Sequence, residues 1–188
     1  MKLTPIQAIQ GPDLESPLAG QTVRTRGVAI GNTRKGYFIQ DPSGSDDPDV
    51  SAGIFVYSRH RDASIGALIE VEGKVLDFCK NEDDRPTTQI KAEEMSVIDM
   101  HGPTITPAWF TADSFPANAR ELARYLNGLE GMLVGVQAGA VFIAPSNPFG
   151  DYVVAPADLY DALNSSGGVL LDPDNPFIID KESGKNVK

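Results

Sequence analysis

Within the nine residues from Asp41 to Asp49, the chain sets Asp41, Ser43, Ser45, Asp46, Asp47 and Asp49, hard oxygen donors at nearly alternate positions. Such spacing resembles the start of a calcium loop, which makes Asp41, Asp46, Asp47 and Asp49 candidate calcium ligands. The run lacks the bidentate Glu that closes an EF-hand, and Pro42 and Pro48 restrict how it can wrap an ion. The competing reading is a solvated hairpin tip, in which Asp and Ser side chains cap their own backbone. Beyond calcium, no residue pattern asks for a cofactor.

A second set of residues could hold an anionic polymer. No acidic residue occurs from Ser16 to Gln40, yet Arg24, Arg26, Arg34 and Lys35 fall in that window, and Arg59, His60 and Arg61 follow. Tyr37, Phe55 and Tyr57 stand nearby on two apolar runs and could stack on bases while the cations meet phosphates. These ten residues are the candidate contacts to DNA or RNA. Alternation puts Tyr37, Phe55 and Tyr57 on the parity opposite Phe38, Ile54 and Val56, without saying which set is outward or whether both are covered. Sixteen basic against twenty-six acidic residues give a net charge of −10, which excludes attraction to nucleic acid or anionic lipid over the whole surface. Glu82, Asp83 and Asp84 would also repel a phosphate backbone, so any binding should be weak and salt-sensitive.

Catalytic chemistry finds no constellation. The chain has no G-x-S-x-G, H-E-x-x-H, G-x-x-x-x-G-K-[ST] or Cys-x-x-Cys, and its two histidines, His60 and His101, are far apart in sequence. The single cysteine, Cys79, cannot form an internal disulfide and reads as a small, partly buried residue at a strand end. The chain by itself is expected not to be an enzyme.

The elements that must position these residues are mostly strands. QTVRTRGVAIG at 21–31 alternates with a break of phase, Val23 and Thr25 on one face and Val28 and Ile30 on the other, with Gly27 at the switch. GYFIQ at 36–40 and GIFVYS at 53–58 are rich in aromatic and β-branched residues. LIEVEGKVLDF at 68–78 turns Ile69, Val71 and Val75 to one face, and TTQIKAEEMSVID at 87–99 changes phase between Ala92 and Val97. Five such strands predict a mainly β fold, a five-stranded OB-like barrel over residues 1–100; a generic meander or sandwich is the alternative. Residues 101–188 predict a smaller appended α+β region packing on the barrel. It has a proline-rich connector, a helix at 117–127 stopped by Gly128, short strands at 131–136, 140–144 and 151–155, a helical turn after Pro156 and a fraying tail. Asn164-Ser165-Ser166 matches a glycosylation acceptor.

SPLAGQTVRTRGVAIG, GYFIQDPSGSDDPDVSAGIFVYS and IGALIEVEGKVLDF resemble the OB-fold module ahead of the catalytic domain in bacterial extracellular nucleases of the endonuclease/exonuclease/phosphatase superfamily. LEGMLVGVQAGAVFIAPSNPFGDYVVAP and GGVLLDPDNPFIIDKESG are similar to the segment that follows that module. The resemblance implies a non-catalytic nucleic-acid-binding or substrate-positioning module of a secreted nuclease. A metal-dependent nuclease domain would follow Lys188, and the location would be extracellular or periplasmic. The alternative is a structural module that docks on the nuclease domain without binding DNA. No signal-peptide stretch and no membrane span is legible, so a secreted parent would have lost its leader.

Overall fold

A computed structural model of the chain describes residues 2–59, 63–79, 85–110, 114, 119–137, 139–144, 146, 153–157, 179–180 and 185–186. The fold is mainly β. Five strands, β1 (Thr22–Thr33), β2 (Gly36–Gln40), β3 (Gly53–Tyr57), β4 (Leu68–Phe78) and β5 (Thr87–Asp99), pair in the order β1-β2-β3-β5-β4 and close back onto β1. All the pairings are antiparallel except β3 with β5, where Phe55, Val56 and Tyr57 run parallel to Gln89, Ile90 and Lys91. β1 is long enough to serve two neighbours: its first half pairs with β4 and its second half with β2.

One core fills the ring, built from Val23, Ala29, Tyr37, Ile39, Ile54, Val56, Ile69, Val71, Val75 and Ile90. A five-residue helix, α1 (Ile6–Gln10), adds Ile6 and Ile9, which are fully buried. Its single turn ends at Gly11, whose φ of 69° suits a residue without a side chain and whose N–H donates to the Gln7 carbonyl at 2.9 Å.

The phase of β1 departs from the sequence reading. Val23, Thr25, Gly27 and Ala29 keep one parity and are all buried, so the inward face does not change at Gly27. The irregularity lies further on, between Ala29 and Gly31, where the register against β2 shifts. Val28 is buried as well but lies outside the core cluster, and that second buried row mimics a phase break. In β5 the change does occur: the register slips between Glu72 and Gly73 of β4, so that Ala92 is followed inward by Met95 and Val97.

The described residues divide into two compact units, Met1–Ala108 with Arg124–Val134, and Trp109–Ala123 with Gly135–Lys188. The helix α2 (Ala119–Gly128) contributes its last turns to the first unit. Sequence placed the boundary near residue 100; the barrel unit runs past it and also takes in 124–134. Gly128 does not end α2 by a left-handed turn; it is buried, and a Cβ there would meet the Pro48 carbonyl at 2.1 Å. The proline-rich connector holds the short strand β6 (Ala108–Phe110), paired with β7 (Val134–Val136), which is narrower than the strand expected at 131–136. In the second unit β8 (Ala140–Ala144) pairs antiparallel with β9 (Val153–Pro156), and in the tail β10 (Ile179–Asp180) pairs with β11 (Lys185–Asn186). The helical turn expected after Pro156 and the Asn164 acceptor lie outside the described residues. Among the described residues no helix is long and apolar enough to cross a membrane.

Candidate functional site

β2 and β3 settle which aromatic residues face outward. Tyr37 is 1% exposed and belongs to the core with its register partner Val56, so its ring is closed to a ligand. The opposite face carries Phe38, Phe55 and Tyr57, each partly buried. Phe38 and Phe55 are register partners whose ring centroids lie 5.0 Å apart with a 53° tilt, a pair that leaves part of each ring open. Parity in the sequence groups Tyr37 with Phe55 and Tyr57; the β2–β3 register instead pairs Phe38 with Phe55 and turns Tyr37 inward with Val56.

Three of the cations near this face, Arg34, Lys35 and Arg59, are ones the sequence favoured; two others, Lys74 and Lys91, are not. Tyr57 stands in one register row with Lys91 of β5 and Lys74 of β4, both exposed. The β1–β2 turn brings exposed Arg34 and Lys35 to the same end, where the Ser58 N–H donates to the Lys35 carbonyl at 3.0 Å, and exposed Arg59 follows directly. Among the described residues none of these five cations forms an ion pair. Gln89, the register partner of Phe55, completes the row with a neutral amide. Lys74, Lys91 and Gln89 were missed because sequence alone does not reveal that β5 lies beside β3; a parallel neighbour leaves no hairpin signal.

Arg24 and Arg26 stand elsewhere. They face out from β1 opposite Glu72 and Glu70 of β4. Arg24 Nε approaches Glu72 at 3.2 Å and Glu70 at 3.5 Å, and Arg26 Nε donates to Glu70 at 2.6 Å. A small cavity of about 110 Å³ beside Arg24 is lined by Glu70, Glu72, Glu94, Met95 and Ser96. Arg24 and Arg26, half of the cations in the acid-free window, are thus neutralised by the acidic outer row of β4, a pairing that register creates. His60 and Arg61 lie outside the described residues, as do Glu82, Asp83 and Asp84.

At the other end of β2 and β3 the acidic run caps itself. Asp41 accepts from the Ser43 N–H at 2.9 Å, Asp47 from the Asp49 N–H at 3.0 Å, and the Gln7 side chain reaches both Asp41 and the Gly44 carbonyl. Among the described residues no three His, Cys, Asp or Glu side chains gather as metal ligands. Cys79 is exposed, not partly buried. His101 is exposed too, its N–H held by Asp99 at 2.9 Å.

No protein-family model matches the chain, and no curated protein matches it. Among solved structures it is similar to OBody AM3L15 bound to hen egg-white lysozyme, with 18% identity and a TM-score of 0.35 over 53% of this chain and 96% of that one. A likeness of that size says nothing about what this chain binds.

Proposed function

We propose that this chain is a non-catalytic nucleic-acid-binding or substrate-positioning module, of the OB type, belonging to a secreted nuclease. The strand ring, with its parallel β3–β5 closure, supports the OB assignment, because that order is the five-stranded Greek-key barrel whose second and third strands form the ligand face. The single observation that carries the reading is the outward row of Phe38, Phe55 and Tyr57, flanked at one end by Arg34, Lys35, Arg59, Lys74 and Lys91. Aromatic faces beside cations fit a single strand, bases on rings and phosphates on ammonium and guanidinium groups. The nuclease context and extracellular location rest on the sequence resemblance alone.

Single-stranded DNA titrated into the chain at low salt should bind and weaken as salt rises, because released counterions carry much of the affinity. A Lys74→Glu/Lys91→Glu variant should bind far less. No binding at low salt by a folded chain would overturn this reading in favour of a module that docks on the nuclease domain and holds no DNA, for which the paired state of Arg24 and Arg26 speaks.

A further inference from the structure

Glu130 lies in the segment that follows α2 and presses on the barrel unit. The backbone approach there is tight: a Cβ on Gly53 would meet the Gly131 carbonyl group at 2.4 Å, and Gly131 itself has a φ of 68°. Polar groups from α1, β2, β5 and the loop before β3 then fasten the segment. Ser51 Oγ donates to the Glu130 carbonyl at 2.6 Å, the Leu133 N–H donates to Gln40 Oε1 at 2.8 Å, and the Thr88 N–H of β5 donates to Glu130 Oε1 at 3.0 Å. Gln10 of α1 also bonds the Glu130 side chain while giving its amide to the Gly53 carbonyl at 2.6 Å.

Among the described residues no cation pairs with this carboxyl. From α1 it meets the neutral Gln10, from β5 the neutral Thr88, and from β4 the acidic Asp77, which accepts from Thr88 Oγ1 at 2.8 Å and from the Ser16 N–H at 3.1 Å. We propose that Glu130 is a proton-operated latch: the segment 128–133 is held firmly while Glu130 carries its proton and loosens when the proton leaves.

Burial, and to a smaller extent the charge of Asp77, push Glu130 up to about 7 against the donors Thr88 and Gln10. A carboxyl raised in the folded state binds more protons there than when released. Its stabilisation is therefore fully present below its ordinary value of 4.5 and is lost as pH rises through about 7. The latch is tight in mild acid and loose in mild alkali.

The test is amide hydrogen exchange of Thr88 and of residues 129–133, corrected for intrinsic rates, at about pH 5.5 and about pH 8.5. The expected result is about a tenfold or greater loss of protection at the higher pH, absent in Glu130→Gln, whose amide cannot ionise. Equal protection at both pH values in the parent chain, or the same loss in Glu130→Gln, overturns the proposal. Should Glu130→Gln fail to fold, a carbon-13 titration of the parent Glu130 carboxyl decides: a midpoint in the ordinary carboxylate range contradicts the latch.

Discussion

Tyr37 and Phe38 are neighbours in sequence and have opposite fates. Alternation separated them but could not say which faced in, because each face offered aromatic and β-branched residues of similar size. The ring of strands decides it, turning Tyr37 into the core and leaving Phe38 on Phe55. Truncating a buried aromatic removes many contacts and leaves a cavity, so Tyr37→Ala should cost about 3–5 kcal/mol in urea unfolding, by analogy with other large aromatic deletions. Phe55→Ala should cost much less stability. Instead it should weaken single-stranded DNA binding by about 1–3 kcal/mol, the range for one stacked base. A Phe55→Ala chain that unfolds as readily as Tyr37→Ala would mean that Phe55 is a packing residue.

At the scale of elements, strand positions were largely legible. β4 and β5 fall where their hydrophobic periods placed them, and β2 and β3 begin where glycine breaks the preceding turn. Their neighbours were not legible: the β1–β4 pairing joins residues forty or more apart, and no local signal announces that Arg24 and Arg26 will face Glu72 and Glu70. The helix α1 escaped because a single turn has no sustained period. Arg24→Glu/Arg26→Glu would set four carboxylates in adjacent rows of β1 and β4 and should lower the melting temperature through like-charge repulsion. It should affect DNA affinity less than Lys74→Glu/Lys91→Glu, a ranking that paired salt titrations can check. Gly128 lies within α2 with no left-handed turn, and its close approach to Pro48 is the reason the structure gives for a glycine there. Gly128→Ala should therefore destabilise by about 1–3 kcal/mol, as overpacking does, and a neutral result would show the backbone yielding freely.

The chain as a whole is net acidic at −10, and along β2 and β3 its charge is polarised. Among the described residues, unpaired cations gather at the β1–β2 turn end of the Phe38–Phe55 face, while Asp41–Asp49 occupies the β2–β3 end. A bound strand should thus lie toward Tyr57, Arg59 and Lys91, away from Asp46 and Asp47. The most direct measurement is the affinity of a short single-stranded DNA at low salt for the parent chain, for Phe38→Ala/Phe55→Ala and for Lys74→Glu/Lys91→Glu, with folding checked by circular dichroism. The account predicts measurable binding by the parent and a clear loss in both folded variants. Equal affinity in all three, or none in any, would contradict it.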